Sequence, residues 1–213
     1  MSTNSDSPKI AILISGGGTT LSNLIEQRRR GHLGCDIAAV ISSSPDAGGL
    51  AFAATAGLPT TVVDYRRVSG TNFSESIFRA VDAAGARWVA LGGFLRKLAI
   101  PDAWTNRVIN IHPSLIPAFS GRGFYGAKVH RAVLDYGCKI SGCTVHFVDN
   151  EYDHGPIIAQ VSVPVLPLDT VDSLARRVFA AECRLYPAVI NALTAGSIHL
   201  NQRRVVVDPP LDL

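Results

Sequence analysis

Asn110 and His112 stand two residues apart at the end of an apolar run, Val108-Ile109-Asn110-Ile111-His112, which then breaks at Pro113. In an extended strand residues i and i+2 face the same side, so this spacing presents an amide donor beside a group that titrates near neutrality. Such a pair can stabilise an oxyanion, with Asn donating and His acting as an acid. Pro113 and Pro117 stop both strand and helix and stiffen the loop that follows. A His that only caps the strand end is the structural alternative. Asp153, in a turn bounded by Gly155 and Pro156, shifts the weight towards chemistry, because its carboxylate could orient His112 and raise its pKa. Taken alone, Asp153 reads first as a turn former.

Other residues offer weaker signals. Ser15-Gly16-Gly17-Gly18-Thr19-Thr20 is a glycine-rich turn between an apolar strand and an amphipathic run. Backbone N–H groups there could meet an anion at a helix N-terminus, and Thr19 and Thr20 add hydroxyl donors, which suits one phosphate monoester. The turn lacks the Lys of a triphosphate loop, and a purely structural tight turn remains open. Arg96 and Lys97 follow Gly92-Gly93-Phe94 at a strand end, either as solvated charges or as substrate contacts. His146 reads first as a core histidine and second as a support for Asp153. His130 and His154 carry no assigned role. Glu182 lies in a long helical stretch after Arg176 and Arg177, and a surface ion pair is its plain reading. Cys35, Cys138, Cys143 and Cys183 show no metal-ligand spacing, so no metal is expected and the thiols read as free.

The elements that must position these residues alternate. Strands are expected over 9–14, 36–42, 60–64, 88–91 and 107–111. Helices are expected over 21–30, 48–56 and 73–84. This alternation is that of an α/β protein with a doubly wound, mostly parallel sheet, whose ligands lie beyond the carboxyl ends of the strands. After residue 120 the pattern changes to a helix over 125–136, strands over 140–148 and 157–165, and a helix over 170–195 with Gly196 as its stop. The two late strands suggest an antiparallel C-terminal extension, with 205–207 as a last edge strand. The 213 residues are expected to form a single domain, 1–213. Hydrophobic residues make up 47% and charged residues 17%, a globular composition, and the net charge of +3 with no basic stripe argues against nucleic acid. No apolar stretch suits a signal or a membrane span, so a cytoplasmic protein with small-molecule partners is expected.

Five segments occur in one order: SGGGTTL, GGFLRKL, VINIHPSLIPAFSG, TVHFVDNEYDHGPIIAQ and LARRVFAAECRLYP. In that order the chain resembles the folate-dependent formyltransferase family, and within it the phosphoribosylglycinamide formyltransferases of purine synthesis, over residues 10–200. The resemblance implies formyl transfer from 10-formyltetrahydrofolate, a cosubstrate, to the amine of glycinamide ribonucleotide. It makes Asn110 and His112 the oxyanion-stabilising pair, His112 the proton donor, and Asp153 the carboxylate that tunes His112 and relays protons. Gly18, Thr19 and Thr20 match the loop that holds the substrate phosphate, and Glu182 the acid that binds its ribose. Leu95, Arg96, Lys97 and Leu98, together with Asn110, Asp149, Asn150, Glu151, Tyr152 and Asp153, match the residues around the folate.

The chain departs from the family pattern at several places. Thr20 stands where relatives commonly have Asn, and Phe179 where a polar ribose contact is often found. Gly70-Thr71-Asn72 occupies a stretch that often holds a basic residue, and the loop from Ser120 to Gly126 is longer than in the simplest relatives. These differences fall on the acceptor side. Alternative readings on the same residues are a formyltransferase for methionyl-tRNA or an amino sugar, a 10-formyltetrahydrofolate hydrolase, and a non-enzymatic ligand-binding module. A monomer or a homodimer is expected.

Overall fold

The computed structural model describes residues 7–212, so Met1 to Asp6, part of the polar N-terminal stretch, lie outside the described residues. The chain divides into two compact units that meet in sequence at Arg96 and Lys97.

In the first unit four strands carry the core: β1 (Lys9–Ile14), β2 (Asp36–Ser42), β3 (Thr60–Val62) and β4 (Trp88–Leu91). They run parallel in the order β3-β2-β1-β4. From Ile10 to Ile14 every residue of β1 is fully buried, as a continuous apolar run covered on both faces requires. The chain passes from β1 to β2 and β3 on one side, then returns to place β4 on the other. This is a topological switch point, where loops after adjacent strands diverge and leave a crevice. Helices α1 (Thr19–Arg29), α2 (Gly49–Thr55) and α3 (Gly70–Ala83) connect the strands. Two starts differ from expectation. α1 begins at Thr19 rather than residue 21, because Gly18 in the left-handed region turns the chain directly into it. α3 begins at Gly70 rather than residue 73, so the departure Gly70-Thr71-Asn72 forms its first turn.

In the second unit β5 (Val108–His112), β6 (Ile140–Phe147) and β7 (Ile157–Pro164) are antiparallel in that order, as the late alternation suggested. α4 (Ala127–Tyr136) precedes β6, and α5 (Val171–Thr194) follows β7. Thr170 caps α5 through a capping box with Ser173, and the chain leaves through Gly196 at φ 77. Leu174, Val178, Leu185, Val189 and Ile190 form the buried stripe of α5. The expected edge strand at 205–207 is instead half of a separate two-stranded ribbon, β8 (Ile198–Asn201) with β9 (Arg204–Val207). A short 3-10 helix, Asp102–Trp104, and strand β8 were not anticipated, since neither has a periodic signature of its own.

Candidate active site

The β5–β6 register sets the site of the second unit. Asn110 lies opposite His146 and His112 opposite Thr144. Directly opposed side chains on one face of an antiparallel pair touch, and here Asn110 Nδ2 is 3.2 Å from His146 Nε2. His146 Nδ1 is 2.7 Å from the Phe147 carbonyl oxygen, which can only accept, so Nδ1 carries the hydrogen. In the neutral ring Nε2 is then a bare acceptor, and Asn110 must turn its NH2 towards it. Burial pushes the His146 pKa down, which favours that neutral ring. The orientation of the Asn110 amide is therefore fixed by a neighbour and not by chance.

His112 is 4% exposed and stands between two acceptors. Its Nε2 donates to the Phe119 carbonyl at 2.9 Å, and its Nδ1 lies 3.5 Å from Asp153 Oδ2. Asp153 Oδ1 is 3.7 Å from His146 Nε2. The three expected catalytic residues Asn110, His112 and Asp153 thus come together, with His146 as the fourth member. In sequence His146 reads second as a support for Asp153, and that reading is the signal for its place here.

Asp153 sits at φ 52 in the loop between β6 and β7. Its Oδ2 also accepts a hydrogen bond from the Gly121 N–H at 2.8 Å, so the Gly-rich loop reaches the carboxylate. A buried knot ties down the base of that loop. Thr144 Oγ1 donates to the Ser114 carbonyl and accepts from the Ile116 N–H, and Gln160 Nε2 donates to the Ile116 carbonyl. Ser114 Oγ donates to the Ala118 carbonyl. Gly155 follows so close to the Phe147 carbonyl that no side chain fits. Thr144 and Gln160 were invisible in sequence, because their role depends on which strand faces the loop.

The remaining expected residues of this unit are spread out. Lys97 lies over the Tyr152 ring at 5.8 Å, Leu98 is buried, and Asn150 Oδ1 accepts from the Ile100 N–H. Asp149 pairs with His154 and accepts from the Glu151 N–H. Among the described residues Glu182 does not form the ion pair suggested for it, and Arg177 binds Asp169 instead, at 2.6 Å. The Glu182 carboxyl is partly buried on α5, and desolvation there pushes its pKa up to about 7. His130, given no role, proves buried, with Nδ1 unpartnered among the described residues; burial and the nearby His112 push its pKa down.

In the first unit the turn after β1 is a separate candidate. Gly18 N-caps α1 at φ 77, and a Cβ there would run into the backbone of Gly49. The Gly49 N–H donates to the Gly16 carbonyl at 3.1 Å, which locks the turn against the start of α2. Thr19 and Thr20 occupy the first turn of α1, which has no side-chain cap and no acidic residue. Its N–H groups favour an anion. Thr20 also lies beside Gly92 after β4, and Ser15 Oγ accepts from the Leu95 N–H at 2.9 Å. Ser43 Oγ, 2.7 Å away, shares a second hydrogen bond with the same hydroxyl. Leu95 is exposed, and Arg96 stacks over Tyr65 at 4.5 Å. No cluster of metal ligands occurs among the described residues.

Comparison with known proteins adds to this geometry. A Formyl transferase family matches residues 8–190. The chain is 38% identical over 189 residues to phosphoribosylglycinamide formyltransferase, chloroplastic, of Arabidopsis thaliana, covering 87% of this chain and 65% of that protein. It is 39% identical over 197 residues to the trifunctional purine biosynthetic protein adenosine-3 of Gallus gallus, covering 91% of this chain. It spans only 19% of that longer protein. The crystal structure of glycinamide ribonucleotide transformylase 1 from Symbiobacterium toebii superposes with a TM-score of 0.89 at 40% identity, covering 97% of this chain and 95% of that one. The match runs through both units and through every residue of the Asn110, His112, Asp153 and His146 group, and the chain belongs to the formyl transferase family.

Proposed function

We propose that the chain transfers a formyl group from 10-formyltetrahydrofolate to the amine of glycinamide ribonucleotide, a step of purine (IMP) biosynthesis. The single observation that carries this reading is the Asn110 amide held by His146, with His112 and Asp153 beside it. Family membership and the printed names of the relatives support the donor and the acceptor. The match to residues 8–190 also supports reading the two units as one functional domain. The four cysteines form no disulfide among the described residues, which suits a reducing compartment such as the cytoplasm, and no helix among the described residues is long and apolar enough to cross a membrane.

In this reading the acceptor nitrogen attacks the formyl carbon, and the carbonyl electron pair moves onto oxygen. The second N–H of Asn110 donates to that oxyanion, an arrangement whose loss typically costs about 10²–10³ in rate. Because Phe119 takes the Nε2 hydrogen of His112, the proton to be transferred is carried at Nδ1, the nitrogen facing Asp153. Collapse breaks the bond from carbon to the folate nitrogen, which takes this proton. The attacking amine gives up one proton, which returns through Asp153 to His112. No covalent enzyme intermediate is required. Holding amine and formyl donor together supplies much of the acceleration. Gly18, Thr19 and Thr20 are assigned the substrate phosphate and Glu182 the ribose. The segments 95–98 and 149–153 are assigned the folate.

The test is to incubate the protein with 10-formyltetrahydrofolate and follow tetrahydrofolate release with and without glycinamide ribonucleotide. Release only with the acceptor is expected. Release without it identifies a hydrolase, and no release with it overturns the acceptor assignment.

A further inference from the structure

We propose that Arg203, in the turn of the C-terminal β8–β9 ribbon, is a positioning residue for Asp153. The proposal rests on the reading above, in which Asp153 works with His112. Residues 198–207 lie beyond the 8–190 stretch that the family model matches.

The need for a brace follows from the backbone. At φ 52 Asp153 holds a left-handed conformation that L-residues adopt sparingly, so what surrounds it helps to keep it there. The loop is fixed at its ends, where the Phe147 N–H donates to the Pro156 carbonyl and the Val148 N–H to the Val108 carbonyl. Near its middle the Ile100 N–H holds Asn150. On the far side of Asp153 the next residue is His154, half exposed, whose Nδ1 is 2.7 Å from Asp149 Oδ2. Arg203 grips this residue twice. Its Nη2 donates to the His154 carbonyl at 2.6 Å, and its Nη1 lies 3.4 Å from His154 Nε2. With Nδ1 donating to Asp149, the neutral ring offers Nε2 as an acceptor to Nη1, so one guanidinium holds both backbone and ring. Among the described residues no other side chain outside the loop bonds to His154.

The ribbon is built to present this side chain. Asn201 pairs with Arg204, so the turn has two residues, and Gln202 at φ 54 starts it. Two-residue turns are stiff and fix the direction of what they carry. A planar fork is required for two acceptors at once, and the single ammonium of Lys does not reproduce it. Arg203 thus sets the backbone that carries Asp153 while touching neither substrate nor His112.

The experiment compares Arg203→Gln and Arg203→Lys in the full chain, alone and combined with Asp153→Asn, by kcat, KM for both substrates and Tm. Misplacing a catalytic group by a fraction of an ångström costs turnover steeply. Each single variant is therefore expected to lose about tenfold in kcat, with both KM values within about twofold and Tm unchanged. In the Asp153→Asn background the same substitutions should add no further loss, a result that a merely structural role would not produce. Wild-type kcat in Arg203→Gln, or an equal loss in both backgrounds, overturns the proposal. Normal turnover in Asp153→Asn alone overturns the reading beneath it, and is told apart because it does not depend on Arg203.

Discussion

His146 accepts a hydrogen bond from Asn110 across the β5–β6 pair, at 3.2 Å, while its own Nδ1 is anchored to the Phe147 carbonyl. The imidazole therefore acts as a template for an amide. If His146 Nε2 gained a proton, the Asn110 NH2 would face another donor and the amide would turn its oxygen outwards, presenting an acceptor where the proposed reaction calls for a donor.

His146→Leu removes the acceptor and frees the amide, and His146→Gln keeps one at a similar reach. The Leu variant should lose about tenfold or more in kcat, a part of the 10²–10³ that an oxyanion donor supplies. Gln should recover most of it. The check is kcat beside Tm for both variants. A Leu variant that loses stability and keeps full kcat would refute the template role.

Asp153→Asn preserves size and removes charge beside His112 and His146. Proton transfer by a positioned group contributes about 10²–10⁴, so turnover should fall by at least about 10²-fold while substrate binding changes little. A kcat profile over pH is the measurement. Activity equal to wild type at every pH contradicts the role given to Asp153.

Gly18→Ala tests the turn after β1. The left-handed φ of 77 costs alanine about 1 kcal/mol, and its Cβ would also press on Gly49. Tm should fall and KM for the phosphate-bearing substrate should rise. Gly17→Ala is the control, because space is open at Gly17 and its φ is not positive. Thermal melts and acceptor titrations on the two variants should differ. Matching behaviour would mean that the close approach of Gly18 to Gly49 does not matter.

Glu182 links stability to pH. Its ordinary value of 4.5 is raised to about 7 in the folded chain by burial. Between these values the folded state binds more protons than the unfolded, so stability falls as pH rises from 4.5 through about 7 and then levels. Glu182→Gln should flatten Tm against pH in that window. A wild-type slope that survives in the Gln variant would assign it to other groups.

The sequence was most informative where a local pattern has one physical meaning. The i, i+2 spacing of Asn110 and His112 put them on one face of a strand, the apolar run of β1 had to be buried on both faces, and Gly196 had to end α5. Where several partners were open, it misled or was silent. Arg177 chose Asp169 over Glu182 because Asp169 stands just before the start of the same helix. Residues 205–207 paired with β8 in a ribbon of their own, since a four-residue strand carries no record of its neighbour.

By itself, then, the sequence determined the α/β class, the order of the elements and three polar residues whose types suit acid–base work and oxyanion stabilisation, because propensity and periodicity are short-range properties. Only the tertiary structure decided that Asn110 faces His146 and that Phe119 caps His112. The same holds for Asp153, placed beside two histidines, and for Arg203, which bonds to the residue that follows it. Apart from the Phe119 contact, seven residues from His112, those relations depend on strand register and on loops that meet across 32 to 50 residues of chain. Long-range pairing of this kind is paid for by the whole fold, and no window of sequence contains it.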